Sequence, residues 1–359
     1  MKILYVITGL GQGGAERVVC DLADEMYIRG NNVKIAYLTG NILTRPTHKE
    51  IELIKINLNS IVALPIAYLN LSRLIKKYKP DVIHSHMFHA NIISRLSRIF
   101  VKIPRLINTA HSSNEGGSIR MLLYKITDTF SDLTTNVSEY ATHQFVKLKA
   151  TPATRIKTVY NGVDFEKFKF DPNAIQSVRS ELNLDQKVKI ILSVGRFHSA
   201  KNYPNLIKAV SLLRTHLDNF VLLIAGEGEL RGELEQIIAH ENLSDNVTLL
   251  GSRSDISQLM SACDVFVLSS DYEGLPTVLI EALGCEANIV TTDVSGAREI
   301  VADNGYIVPI RDSLVISKAL YKVLTTNNSE RNKQGRLFAQ DKFDLEKVAA
   351  FWVDLYNEG

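Results

Sequence analysis

Short apolar runs alternate with longer amphipathic stretches from the first residues of the chain onward. Residues 3–7, 33–38, 51–56, 82–84, 105–110 and 133–137 are rich in β-branched and other apolar side chains, which predicts strands. Between them lie helical patterns such as 15–29 and 91–101. In the second of these, Ile92, Ile93, Leu96, Ile99 and Phe100 recur at the 3.6-residue spacing of one helix face. Strand–helix alternation in this order predicts a parallel sheet with helices on both faces.

Residues 161–185 break the pattern. They hold Asn161-Gly162 and Asp171-Pro172-Asn173 with mixed charge and no clear period, and they read as a linker. Alternation then restarts, with strands expected at 188–194, 220–225, 247–250, 265–268, 289–292 and 306–308. A last helical pattern, 345–356, follows the final strand and could pack on either half. The expected class is α/β, with two doubly wound, Rossmann-like domains over 1–165 and 166–340 and a terminal helix within 341–359. Ligands of such sheets bind outside the carboxyl ends of the strands, so a cleft between two facing domains is the expected place for chemistry.

A length of 359 residues suits two domains at roughly 150 residues each. With 45% hydrophobic and 22% charged residues the chain can bury a large core, which excludes disordered, collagen-like and disulfide-scaffold classes. Cys20, Cys263 and Cys285 lie far apart and form no CxxC pair, which points to a reducing cytosol. The longest apolar run, 61–71, is interrupted by Pro65, Tyr68 and Asn70 and falls short of a membrane span. The apolar amino terminus passes straight into a glycine loop and reads as a first strand, not a signal peptide. The net charge of +2 hides an asymmetry: residues 1–165 hold 21 Lys and Arg against 12 Asp and Glu, while 166–359 hold 20 against 27. A basic first half points to an anionic partner, either nucleic acid or an acidic membrane surface.

The first loop reads Gly9-Leu10-Gly11-Gln12-Gly13-Gly14-Ala15-Glu16. Gly9, Gly11 and Gly14 fit G-x-G-x-x-G between a strand and a helix, as in dinucleotide-binding dehydrogenases. That fingerprint also needs an acid near the end of the second strand, and the first one here is Glu50. The glycines still permit close backbone approach, and the helix start offers N–H groups to an anion. No GKS or GKT follows, which excludes an ordinary P-loop.

In the second half, Arg196 follows an expected strand end and Lys201 lies five residues on. Two cations there would converge on a phosphate pair. Downstream runs Asp271-Tyr272-Glu273-Gly274-Leu275-Pro276-Thr277-Val278-Leu279-Ile280-Glu281-Ala282. Pro276 suits a first helical position, predicting a helix over 276–284. Thr277 and Glu281 then share one face. Glu281 sits among apolar neighbours, where a carboxylate needs a partner such as a ribose diol. Glu273, in the turn before the helix, can meet a sugar hydroxyl.

Glu273 and Glu281, separated by seven residues with Gly-Leu-Pro inside, resemble the motif of the family-4 retaining glycosyltransferases, which have the two-domain GT-B fold. Gly13-Gly14-Ala15-Glu16-Arg17, Thr109-Ala110-His111, Asn161-Gly162-Val163-Asp164, Gly195-Arg196 with Lys201-Asn202, and Asn304-Gly305 fall in that family's order. The resemblance implies that Arg196 and Lys201 hold the donor diphosphate and Glu281 the ribose. It places Glu273 and the amides near Gly274 and Leu275 at the donor sugar and phosphate, and Gly13 and Gly14 over the diphosphate. It further puts Arg253, with Gly251 and Ser252, where the family holds the base, and His111 beside the reacting sugar. His111 would bond a hydroxyl or position the acceptor, and the departing phosphate would take the acceptor's proton.

His84-Ser85-His86 would place two imidazoles on one strand face, but no nearby acid completes a zinc set, and no DxD motif is present. Neither a cofactor nor a metal is therefore expected. Basic residues cluster at Arg73, Lys76, Lys77 and Lys79, at Arg95, Arg98, Lys102 and Arg105, and around Arg120 and Lys125. Without a recognised nucleic-acid module, these clusters read as contacts to an anionic membrane surface. The resulting expectation is a cytoplasmic enzyme at the inner membrane face. It would move a sugar from a UDP-sugar to an undecaprenyl-diphosphate-linked glycan in O-antigen or capsule assembly. A sucrose-phosphate-type synthase, a lipid-headgroup transferase and a non-catalytic nucleotide-sugar-binding protein are the alternatives.

Overall fold

The computed structural model describes residues 1–11 and 13–358. It divides the chain into one unit of residues 1–162 and 345–359 and a second of residues 163–344. In the first unit the elements are β1 (Lys2–Ile7), α1 (Gly14–Ile28), β2 (Asn32–Tyr37), β3 (Glu52–Lys55), α2 (Leu64–Tyr78), β4 (Val82–His86), α3 (Phe88–Ser97), β5 (Arg105–Ala110), α4 (Ser118–Thr127), β6 (Leu133–Asn136), α5 (Glu139–Lys147) and β7 (Ile156–Thr158). Their strands form a parallel sheet in the order β3-β2-β1-β4-β5-β6-β7. Both faces are covered, so the central strands are buried on both sides and show no polar–apolar alternation; the polar residues of β4 and β5, such as His84, Ser85 and Asn108, are buried too. Within β1, Ile3, Tyr5 and Ile7 join the core on one face and Leu4 and Val6 the core on the other.

The second unit holds α6 (Pro172–Glu181), β8 (Lys189–Val194), α7 (Tyr203–Leu213), β9 (Phe220–Ala225), α8 (Arg231–His240), β10 (Val247–Gly251), α9 (Ile256–Ala262), β11 (Val265–Leu268), α10 (Thr277–Gly284), β12 (Ile289–Thr292), α11 (Ala297–Val301), β13 (Tyr306–Val308), α12 (Ser313–Leu324) and α13 (Ser329–Phe343). Its parallel sheet runs β10-β9-β8-β11-β12-β13. Val163 and Asp344 form an isolated parallel bridge, and the Val163 N–H donates to the Phe343 carbonyl at 2.9 Å. The chain thus enters and leaves this unit side by side, at 162/163 and 344/345 where the sequence placed 165/166 and 340/341.

The stretch read as a linker contains a helix, α6. The Asp171 side chain accepts from the Asn173 N–H at 2.9 Å as an N-cap, and Pro172 occupies the first turn. The Asp-Pro pair that reads as a turn is therefore a helix start. Its core face is only Ala174, Val178 and the stem of Arg179, too short a stripe to register as a period. The short edge strand β7, three residues with only Ile156 buried, is likewise too short to show a period. Pro276 is the N-cap of α10, and Thr277 is its first residue.

α14 (Leu345–Asn357) belongs to the first unit, where Ala349, Trp352, Leu355 and Tyr356 share a core with Ile3, Tyr5, Ile7 and α1. Its Tyr356 hydroxyl meets Tyr5 Oη at 3.0 Å and His84 Nδ1 at 2.7 Å. Leu355→Ala should destabilise the first unit by about 2–5 kcal/mol. The readout is the urea midpoint of the fluorescence of Trp352, the chain's single tryptophan. An unchanged midpoint would show that α14 contributes nothing to that core.

Candidate active site

In the second sheet, strand order reverses between β8 and β11, and the loops after these two strands lead away to opposite sides. Lys201 ends a tight turn (Ser199–Lys201) in the first of these loops, and Glu273 lies in the second. They meet there: Lys201 Nζ donates to Glu273 Oε1 at 2.6 Å, and Ser270 Oγ donates to the same oxygen at 2.7 Å. Each side chain is four-fifths buried, with 20% and 17% of its surface exposed. Glu273 Oε2 has no partner among the described residues, and Lys201 keeps two further N–H bonds to offer.

The backbone beneath this pair is stitched together. Asn202 Nδ2 donates to Asp271 Oδ1 at 2.7 Å, the Asp271 N–H donates to the Ala200 carbonyl at 2.8 Å, and Ser269 Oγ donates to the Lys201 carbonyl at 2.8 Å. Arg311 Nε holds the other Asp271 oxygen at 2.7 Å. Space is as closely set as polarity. A β-carbon on Gly195 would lie 2.9 Å from Lys201 Cε and 3.0 Å from Tyr203 Oη. One on Gly226 would collide with the Gly195 carbonyl, and one on Gly228 with the Phe197 backbone. Gly226 also has φ of +153°, so glycine is required there on two counts. Arg196 stands exposed at the tip of the loop and pairs with no carboxylate among the described residues.

Leu275 is buried, and its side chain packs against Gly296, where a β-carbon would lie 2.7 Å from Leu275 Cδ1. Thr277 and Glu281 are both partly exposed along α10. The Thr277 N–H is taken by the Leu275 carbonyl at 2.9 Å, so that amide is not available to an anion. Arg253 departs from expectation. Its guanidinium is held by Glu181 at 2.7 and 3.1 Å and by Asp255 at 2.8 and 2.6 Å, and is therefore committed to carboxylates and not to a base. Glu181 comes from α6, the helix hidden in the apparent linker.

In the first unit the order reverses between β1 and β4. Gly13 is the N-cap of α1 and Gly14 its first residue. A β-carbon on Gly13 would strike the Glu16 carboxylate, which folds over the helix start where an anion would bind. His111 follows β5. Its N–H donates to Glu115 Oε1 at 2.8 Å, and its Nε2 lies 3.1 Å from His86 Nδ1. Enclosure of the ring pulls the His111 pKa down to about 4, so it is neutral at pH 7. The His84 and His86 rings lie with centroids 4.0 Å apart and tilted by 40°, and His84 bonds Tyr356 and Thr109, each at 2.7 Å. Among the described residues no group of three or more His, Cys, Asp or Glu could hold a metal.

The basic cluster at Arg95, Arg98 and Arg105 is not a surface patch. Arg95 is fully buried and donates to Asn108, Tyr124, Thr127 and Thr134, tying α3 to α4 and the sheet. Arg98 pairs with Asp132 at 2.8 Å, and Arg105 bonds the Leu355 carbonyl at 3.1 Å. A guanidinium with five donors anchors several carbonyls at once, which an exposed cation would not do. Arg73, Lys76 and Lys77 of α2, Lys79 just after it, Lys102, and Lys125 of α4 do remain exposed. The two units keep their opposite charge: the first carries 22 Lys and Arg against 14 Asp and Glu, the second 19 against 25. No described helix is long and apolar enough to cross a membrane.

Residues 12–167 match the family model described as Glycosyltransferase Family 4, and residues 175–336 that described as Glycosyl transferases group 1. The chain is 30% identical, over 97% of each sequence, to the N-acetylgalactosamine-N,N'-diacetylbacillosaminyl-diphospho-undecaprenol 4-alpha-N-acetylgalactosaminyltransferase of Campylobacter jejuni. It belongs to the family-4 glycosyltransferases. A second Campylobacter jejuni glycosyltransferase, a GalNAc-alpha-(1->4)-GalNAc-alpha-(1->3)-diNAcBac-PP-undecaprenol alpha-1,4-N-acetyl-D-galactosaminyltransferase, is 27% identical over 100% of this chain and 99% of that one. Among solved structures, the sucrose-phosphate synthase of Thermosynechococcus elongatus superposes with a TM-score of 0.88 at 20% identity, covering 100% of this chain and 99% of that one. Anabaena HepE in complex with UDP and glucose superposes at 0.87, with 20% identity and 100% of both chains. The fold of this glycosyltransferase is therefore GT-B, as its motifs imply.

The buried histidines of the glycosyltransferase give it a pH signature. Burial holds His84 and His86 well below the ordinary imidazole pKa, so both are neutral in the folded chain. The unfolded chain protonates them below about pH 6.5 and then binds more protons than the folded one. The stability they contribute is thus complete above that pH and is lost as pH falls. Each ring should remove up to about 1.4 kcal/mol per pH unit. The melting temperature should fall progressively from pH 6.5 to 5, with a shallower slope in His84→Gln; a flat profile would contradict the assignment.

Proposed function

We propose that this glycosyltransferase moves a hexose or N-acetylhexosamine from a UDP-sugar to a lipid-diphosphate-linked glycan, with retention at the anomeric carbon and without a metal. The observation that carries the reading is the Lys201–Glu273 pair at the β8/β11 switch point, with Arg196 exposed beside it. Arg196 and Lys201 neutralise the donor diphosphate as its bond to the sugar C1 breaks, and negative charge develops on the leaving oxygen. Glu273, held by Lys201 and Ser270 through one oxygen, offers the other to a sugar hydroxyl. The backbone at Gly274 and Leu275 approaches the sugar and phosphate, Thr277 lines the same helix face, and Glu281 accepts from the ribose diol. The acceptor oxygen forms its bond to C1 on the face the diphosphate leaves, and its proton passes to the departing phosphate oxygen. His111, neutral at working pH, bonds a sugar hydroxyl and does not act as a general base. Gly13 and Gly14 take the phosphate once the Glu16 carboxylate has moved aside. The base is read from the backbone around Gly251 and not by the Arg253 guanidinium.

UDP is favoured because a solved structure of the same fold holds it. The lipid-diphosphate acceptor is favoured by the acceptors that the Campylobacter relatives' names state; an O-antigen-type or capsular glycan is the class we propose for it. In a thermal-shift assay UDP should raise the melting temperature more than GDP or ADP, because only binding to the native state stabilises it. Lys201→Ala should lower slow UDP release from the donor by about a hundredfold or more, comparable with loss of one transition-state donor. Glu273→Gln, which keeps the shape, should cost turnover more than UDP binding. UDP binding without any turnover would leave a nucleotide-sugar-binding protein.

The first domain is proposed to meet an anionic membrane surface. On α4, Ile119, Leu122 and Ile126 recur on one face and are 75%, 56% and 61% exposed, with Lys125 exposed beside them. A helix that buries Met121 and Tyr124 on one side and exposes a second apolar stripe has the character of an interfacial element. Vesicles containing phosphatidylglycerol should pellet the protein at low salt. Replacing Ile119, Leu122 and Ile126 together by Asp should abolish this without changing UDP binding; undiminished pelleting would sink the assignment to α4.

A further inference from the structure

We propose that His86 is a positioning residue that fixes His111 as the Nδ1–H tautomer, so that the ring presents a hydrogen-bond donor to the substrate and no lone pair. The contact is His86 Nδ1 to His111 Nε2 at 3.1 Å, with the rings 5.4 Å apart and tilted by 39°. One proton occupies that contact, and its owner decides what the far side of each ring carries.

If His111 Nε2 held the proton, His86 Nε2 would also have to be protonated for a neutral ring. That atom is buried and has no hydrogen-bond partner. It belongs to a ring lining a cavity of about 10 Å³ walled by Leu22, Thr109, Val159, Tyr160, Asn161 and Trp352 among others, none of which reaches it with a direct hydrogen bond. Such a volume is at the lower limit for one water, and a water there would need two or more polar partners. Thr109 Oγ1 is already engaged by His84 and Thr135, each at 2.7 Å. A buried N–H without an acceptor is the rarer and costlier orphan. With the proton on His86 Nδ1 the orphan is an acceptor and not a donor, which is the cheaper of the two: His86 Nε2 is a bare lone pair against a largely apolar wall. His111 Nε2 then accepts, and its remaining proton sits on Nδ1. Unlike His86 Nε2, His111 Nδ1 is not among the buried atoms that lack a partner, so an N–H there meets no such cost.

The groups around the two rings reinforce the arrangement. The His84 ring packs at a tilt against His86 from the same strand, the Tyr5 ring of β1 lies 5.9 Å from it, and the Glu115 carboxylate takes the His111 backbone N–H and not its ring. Burial separately keeps both imidazoles neutral. In function the consequence rests on the reading that His111 meets a sugar hydroxyl: the ring donates to that oxygen and cannot remove its proton through Nδ1.

The test begins with the intact protein labelled with ¹⁵N-histidine. Long-range ¹H–¹⁵N correlation should show His111 and His86 each protonated at Nδ1; a His111 ring protonated at Nε2 overturns the proposal. Kinetics supply a second arm. In His86→Asn the amide N–H2 can stand near the lost Nδ1–H, and kcat should stay within about threefold of the parent. His86→Leu should lower kcat by about tenfold, the effect of one lost hydrogen bond, with donor KM little changed and His111 shifted to mixed tautomers. Equal kcat in the Asn and Leu variants would also overturn the proposal. An inactive wild-type protein whose His111 carries Nδ1–H would instead refute glycosyl transfer while leaving the tautomer assignment intact.

Discussion

Parallel strands cannot be joined by tight turns, so each connection crosses over a face of the sheet and every strand delivers its carboxyl end to the same edge. In both units of this glycosyltransferase the order reverses once, at β1/β4 and at β8/β11, and the loops diverge there. The Gly9–Gly14 loop, His86 and His111 are carried to one such edge, and Lys201 and Glu273 to the other. What these residues can do follows from that placement, because none of them is near its partners in sequence.

The Lys201–Glu273 contact shows how an exposed loop acquires the order that chemistry needs. A surface ion pair contributes little, but this pair is largely shielded and sits above Asn202–Asp271 and Ser269–Lys201 bonds that hold both backbones. Gly195 leaves room for the Lys201 stem and the Tyr203 hydroxyl, and Gly226 and Gly228 let the backbone at Gly195 and Phe197 approach closely. The pair leaves one carboxylate oxygen and two ammonium protons with work still to do, so a single contact both orients the groups and keeps them usable. The histidine cluster uses the same economy: Glu115 fixes the backbone of His111 while His86 holds its ring.

Much of this was legible in advance where burial on both faces left unbroken apolar runs, as in β1, β9 and β11. The Glu273–Glu281 motif and the cations after β8 were legible because their spacing is itself the chemistry. Other features had no local signal. Asp171-Pro172 serves a turn and a helix N-terminus equally well, so α6 was hidden, and with it the Glu181 that claims Arg253. Arg95 has the sequence signature of a solvated helix face, yet its guanidinium is the hub of a buried network whose acceptors come from α4, β5 and β6. Ser270, Asn202 and Asp271 are unremarkable polar residues until two loops meet.

Periodicity, glycine and proline placement and charge count are local quantities, and by themselves they determined two doubly wound domains and the position of most strands, and made Arg196 and Lys201 candidates for a diphosphate. Which cations remain free, which imidazole nitrogen carries a proton and which helix completes the first domain's core depend on groups tens to hundreds of residues apart. Tyr5, His84 and Tyr356 share one chain of hydrogen bonds across 351 positions of sequence. Only folding brings such groups within hydrogen-bonding distance, and only burial makes an unmatched proton expensive, so the tertiary structure alone decided them.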